Sequence, residues 1–400
     1  NPEGKQVVDL TFASEVLGMP TMDGYGWAQF EFGDQIGQDN RYTIAQKLGW
    51  GMHSSTWLAR NTINDKFVAV KALTGHMTDM YECAVIWEPD ALQLASQLPT
   101  SLHCTQLLDE FTIPGKGTAG SHMCFVMPVY RGNMKALVEA RTTALPLPLA
   151  KWIALHLLCG IAHAHGHRIV HTDLKHDNIF FSTTMSADNI EAWMMKEPSW
   201  QHVPEASYDG VVQAVVLQPL PMISEDEAMR ATYLLADFGC AQLLGLHANQ
   251  MITSLPLQPP EVFLEAEWDK PTDIWTFSCL IFELVTSKHL FCYQRNEKFG
   301  LDKMENMLYQ MMLHTKEDFR AAQLQVSSKA PEYFNMNCQM KKNLTIFNWP
   351  IKACLDELKV VSDEEAKATV KLIQQCLHLD PAHRSTATEL LSDPWFNGVE

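Results

Sequence analysis

The stretch HTDLKHDNIF, residues 171–180, sets an acid, a lysine and an amide at short fixed offsets: Asp173, Lys175 and Asn178. Each offers a chemistry that the others complement. Asp173 can accept a proton from an incoming hydroxyl. Lys175 can neutralise a phosphoryl group in transfer. Asn178 offers an amide oxygen to a metal ion. Each alone also reads as a polar loop residue. The set points to chemistry only where matching groups occur elsewhere in the chain.

They do. Downstream, LLADFGC (234–240) places Asp237 directly after an apolar strand. An Asp-Phe-Gly can be a plain turn, or its carboxylate can hold Mg²⁺ against phosphates. Upstream, the alternating run FVAVKAL (67–73) carries Lys71, and a lysine there sits at a sheet edge or clamps a phosphate if an acid holds it. Glu88, in a helical pattern spanning 81–98, is the better partner, and Glu82 the weaker one. Before them, Gly49-Trp50-Gly51 with Ser54 lies between two predicted strands. Glycines let backbone approach phosphate oxygens, although a tight turn explains the pair equally well. Ser54 in the third position, with no helix after it, excludes a dinucleotide-binding fingerprint. The chain order GxG, Lys, Glu, HxDxKxxN, DFG matches the protein-kinase signature set.

Bulk properties agree. The 400 residues are 46% hydrophobic and 19% charged, which describes a globular chain with room for two lobes. A net charge of −17 argues against direct nucleic-acid binding and suits a basic partner. No CxxC pair occurs among ten cysteines, as expected of reduced thiols in a cytoplasmic and/or nuclear protein. The first residues, NPEGKQVVDL, carry no apolar signal core, and no run long enough to cross a membrane is expected. His163, His165, His167 and His171 are dense enough to suggest a zinc hydrolase. Without an HExxH, a helix end leading into the catalytic loop explains them better.

The pattern is mostly β up to about residue 130 and mostly helical after it. The expected fold is therefore α+β: a two-lobed kinase with a β-rich N-lobe containing one main helix, an α-rich C-lobe, and a cleft between them. Residues 1–40 are an extension packing on the N-lobe (41–130). The C-lobe (131–397) carries an inserted spacer loop at about 182–233, whose VVLQPLPM run is apolar enough to pack on a lobe.

RYTIAQKLGWGMHSSTWLARN, IVHTDLKHDNI, PTDIWTFSCLIFELVT and DPAHRSTATELLSDPWF resemble the SR-protein kinase family, in particular its fungal SRPK-like members. The likeness covers about residues 20–397. It implies transfer of the ATP γ-phosphoryl group to serine, with ATP and Mg²⁺ as cofactors and basic, Arg-Ser-rich substrates such as splicing factors. Asp173 and Lys175 then act at the reacting groups. Lys71 holds the α/β-phosphates and pairs with Glu88, while Asn178 and Asp237 hold metal. The nucleotide meets Gly49, Trp50, Gly51, Ser54, Thr56 and Ala69. Met127 is the gatekeeper, with hinge contacts at Pro128 and Tyr130. Glu261 pairs with Arg384, and Asp273 braces the catalytic loop. The family's acidic docking groove falls near 300–345, where Glu305, Glu317 and Asp318 stand. A monomer without membrane contact is implied. The alternative is a pseudokinase, an ATP-binding scaffold without phosphotransfer.

Several residues depart from the pattern. Thr172 replaces the arginine that grips an activation-loop phosphate, so activity independent of phosphorylation is expected. Thr56 replaces a valine and His176 a proline. Gln258 and Leu257 stand where an arginine and an aromatic are usual, which puts substrate preference in question.

Overall fold

The computed structural model describes residues 12–245, 252–342 and 350–399. Packing gathers them into two compact units that interleave along the chain. Unit 1 comprises 12–86, Gln106–Gly132 and Ser182–Met222, and unit 2 holds Trp87–Thr105, Asn133–Phe181 and the described residues from Ile223 onward. The fold is that of a protein kinase, β-rich in one unit and helical in the other.

Unit 1 is built on a six-stranded antiparallel sheet. Its strands are β1 (Gln35–Ile36), β2 (Tyr42–Trp50), β3 (Ser54–Asn61), β4 (Lys66–Leu73), β5 (Asp109–Pro114) and β6 (Ser121–Met127), in the order β1-β2-β3-β4-β6-β5. Side chains alternate between faces along each strand. Ile44, Trp57, Ala59, Val68, Val70, Cys124 and Val126 form a buried cluster on one face. Residues 12–40 cover that face through Ala28, Phe30 and Ile36.

The 182–233 segment is not the plain loop expected. It contains a helix, Ala187–Lys196, started by Ser186, and a hairpin, Glu205–Ser207 with Gly210–Val212. Its 182–222 part belongs to unit 1 rather than to the helical half. Val215 enters the sheet cluster, and Ile190 and Leu220 pack with Leu58 and Val129. Apolar burial at these positions fixes its place.

The helical pattern over 81–98 is two helices, α1 (Gly75–Glu82) in unit 1 and α2 (Glu88–Ala95) in unit 2. Pro89 cannot continue a helix from the residues before it, but is tolerated in a first turn. The longest helix of unit 2, Leu147–Gly166, has a mean hydropathy of 1.4, so by length and composition it could cross a membrane, contrary to expectation. Ile153, Leu157 and Ile161 on it are fully buried inside unit 2. The helix Pro271–Thr286 packs beside it, buried almost throughout.

Candidate active site

The catalytic loop grows out of a strand pair in unit 2. Leu235 lies opposite Ile179, and the Ala236 N–H donates to the Asn178 carbonyl at 3.0 Å. Asn178 and Asp237 therefore emerge at the same end of the pair. Asp173 sits at the centre of a hydrogen-bonded set. Lys175 Nζ donates to its Oδ2 at 2.7 Å, and Asn178 Nδ2 donates to Oδ2 at 2.9 Å and to its carbonyl at 2.8 Å. These bonds orient the Asn178 amide and leave its carbonyl oxygen as the atom available to a cation.

His171 supports the loop from beneath. Its Nε2–H donates to the Ala236 carbonyl at 3.1 Å, and Nδ1 accepts the Asp173 N–H at 3.3 Å. The ring meets Phe238 edge-on at 5.1 Å. Phe238 is fully buried, while Asp237, at φ +58°, turns outward. Asp273 braces the same loop by accepting the N–H groups of His171 and Thr172 and the Nε2 of His165, each at 2.9 Å. Burial alone would raise its pKa; His165 and His171 hold it below the usual carboxylate value. His165, read from sequence as one of several helix-end histidines, thus has a definite role. His163 bonds to the Ala95 carbonyl and His167 to the His163 carbonyl. Among the described residues no cluster of histidines, cysteines and acids suits a metal ion.

Thr172 answers for the missing arginine. It is buried at φ +66°, an uncommon conformation for a β-branched residue. Its hydroxyl donates to the Cys240 carbonyl at 2.7 Å, and its own carbonyl accepts the Thr253 hydroxyl at 2.7 Å. Gln258 is buried too, with Nε2 donating to the Ile252 carbonyl at 2.7 Å. Neutral hydrogen bonds therefore fix both described ends of the 240–258 loop; residues 246–251 lie outside the described residues. Thr253 has no motif to announce it.

The field around Asp173 is strongly negative. Burial pushes the Cys240 thiol up to about 11, and Asp173, Asp237 and Glu88 push it the same way against Lys175. Burial of Lys175 works against its charge, yet Asp173, Asp177 and Asp237 raise its pKa. Glu88 is buried at the first turn of α2, and a Cβ placed on Gly239 would lie 3.5 Å from its Oε2. Glu82, by contrast, ends α1 in solvent.

Unit 1 supplies the other residues. Antiparallel register makes one row of Gly49, Thr56 and Lys71, and a second of Leu58, Ala69 and Met127. Both rows lie on the face opposite the buried cluster, so Thr56, Ala69, Lys71 and Met127 share one surface. Trp50 and Gly51 are exposed at the turn, and Ser54 opens β3. Pro128 and Tyr130 follow the end of β6.

The structural pairs also form. Arg384 grips Glu261 through two bonds of 2.6 and 2.7 Å. The acids near 300–345 are partly occupied. Glu305 accepts the Asp302 N–H and Lys342, and Glu317 binds His378 and the Leu379 N–H.

The protein kinase domain profile matches residues 42–192 and 222–396, so the chain belongs to the protein kinase family. It is an ATP-dependent serine/threonine kinase. Within the family it resembles the serine/threonine-protein kinase SRPK of Physarum polycephalum, 27% identical over 90% of this chain and 87% of that protein. It is 23% identical to protein kinase dsk1 of Schizosaccharomyces pombe, over 90% of this chain and 81% of the relative. A crystallised kinase domain superposes with a TM-score of 0.65 at 17% identity, over 93% of this chain and 99% of that one, which supports the fold.

Proposed function

We propose that this kinase transfers the ATP γ-phosphoryl group to serine in arginine-rich, basic proteins, with Mg²⁺ as the accompanying ion. The observation that carries the reading is the bonded set Asp173–Lys175–Asn178, with Asp237 at the same strand end. Asp173 accepts or orients the serine hydroxyl proton. Lys175 steadies the phosphoryl oxygens. Lys71 and the Gly49–Gly51 turn hold the upstream phosphates. Ala69, Met127, Pro128 and Tyr130 receive the adenine. Three carboxylates shift the titration of one neighbouring thiol, and a single lysine opposes them, an excess of negative charge that a divalent cation would neutralise. Asn178 and Asp237 would hold that ion, which neutralises charge on the phosphates when bound. The net charge of −17 and the likeness to a kinase named SRPK support Arg-Ser-rich substrates. The enzyme works as a monomer in the cytoplasm and/or nucleus, where its ten free cysteines stay reduced.

The test is labelling of an Arg-Ser repeat peptide with ATP and Mg²⁺. Asp173→Ala should lower kcat at least about 100-fold. Labelling of a generic basic protein but not of the repeat peptide would remove the substrate assignment and leave the kinase. The loop bonds of Thr172, Thr253 and Gln258 support activity without loop phosphorylation. Phosphatase treatment should leave the rate unchanged, and a large loss would overturn that part.

A further inference from the structure

Besides the last three described residues, the kinase profile skips residues 12–41 and 193–221. Both belong to unit 1, and they converge on one buried side chain. Lys47 lies in β2, two residues before Gly49, and is fully buried. Its ammonium donates to Ser14 Oγ at 2.7 Å, to Glu15 Oε2, and to the Val215 carbonyl at 3.1 Å. Its three protons thus reach the N-terminal stretch twice and the insert once.

The surroundings extend the clamp. The insert bonds β2 along its length: Ser199 Oγ donates to the Ala45 carbonyl, Gln46 Nε2 donates to the Glu197 carbonyl, and the Gln218 N–H donates to the Lys47 carbonyl. From the other side, Trp27 Nε1–H donates to the Gly51 carbonyl at 3.3 Å, within the glycine turn itself. Leu17, Trp27, Val212 and Ala214 then pack the two stretches together.

We propose that the N-terminal stretch and the insert form one brace that positions the Gly49–Gly51 turn for nucleotide, with Lys47 as its hub and Trp27 as its contact on the turn. Glycine turns are pliant, and an ordered turn spends less of the binding free energy on becoming ordered. Lys47 and Trp27 are positioning residues: they touch the turn or its strand, not the phosphates. The inference rests on the reading that this turn cradles ATP.

The test separates position from stability. Trp27→Phe removes one donor and keeps an aromatic ring. It should raise the KM for ATP, and the Kd for Mg-ATP by calorimetry, by about three- to tenfold, with kcat and the KM for protein substrate moving less. Lys47→Met should do the same and also lower the Tm. The double variant Glu15→Leu/Lys47→Met replaces the ion pair with apolar groups and should recover Tm, because buried pairs tolerate joint replacement. Its KM for ATP should stay raised, since the bond to Val215 is still missing. A merely structural role predicts that KM recovers together with Tm. An unchanged KM for ATP in Trp27→Phe, or full recovery in the double variant, overturns the brace while the wild type still binds Mg-ATP. A folded wild type that does not bind Mg-ATP overturns the nucleotide reading and the brace together.

Discussion

Each unit buries an ion pair built on a lysine or an arginine, and the two are made differently. In unit 2, Arg384 and Glu261 are 0% and 5% exposed at their side chains. The guanidinium meets both carboxylate oxygens, donates also to the His378 and Pro271 carbonyls, and lies 5.1 Å from the centre of the Trp275 ring. Thr272 adds a hydrogen bond to Glu261. In unit 1, Lys47 and Glu15 are 1% and 2% exposed. The ammonium is satisfied, but Glu15 Oε1 is buried without a partner. Burial lowers the Lys47 pKa against the pull of Glu15. A planar, always-charged fork suits a permanent joint, whereas a titratable ammonium makes one that conditions can change. The fixed joint ties the activation segment to the helical core. The adjustable one ties two stretches outside the common kinase domain to the strand that leads into Gly49.

Breaking each pair should expose the contrast, and the larger effect is expected in unit 2. Glu261→Leu strands a buried guanidinium that cannot lose its proton, at a cost of about 3–5 kcal/mol in denaturant unfolding. Lys47→Met should cost about half of that, since the Glu15 carboxylate can turn to water with its N-terminal stretch. Equal losses, or the reverse order, would show that the unit 1 joint is as rigid as the other.

The same contrast explains what could be read before the structure. Asp173, Lys175 and Asn178 lie within six residues, and their offsets reported a shared task once Lys71, Glu88 and Asp237 were read with them. Arg384 and Glu261 are far apart in sequence, yet each sits in a stretch whose pattern is recognisable by itself. Asp273 was legible in the same way, but its partner His165 was hidden among neighbouring histidines. Lys47 had no such aid. Its partners Glu15 and Val215 are 32 and 168 positions away, in stretches without a periodic pattern. The only local sign was a lysine within a predicted strand, just before LGWG. The hairpin of the insert did carry a signal, Asp209-Gly210 between two short runs, with Gly210 at φ +107°. The split between α1 and α2 was announced by Pro89, since a continuous helix cannot run through it.

The smallest effect concerns pH, and its sign follows from Lys47. Below its lowered folded pKa, Lys47 is charged in both the folded and the unfolded chain. Above 10.5, its ordinary value, it is neutral in both. Between the two the unfolded chain holds the extra proton, so this residue favours the folded state more as pH rises through that window. Other groups lower stability in alkali, and Lys47 offsets part of their effect. Stability measured by urea unfolding should therefore fall less steeply from neutral pH towards 10.5 in the wild type than in Lys47→Met. A guanidinium does not titrate in that range, so the corresponding Glu261→Leu variant should follow the wild-type slope. A wild-type slope equal to that of Lys47→Met would mean that Lys47 does not lose its proton in that window. The two joints would then differ in geometry alone, and the brace at Gly49 would not respond to pH.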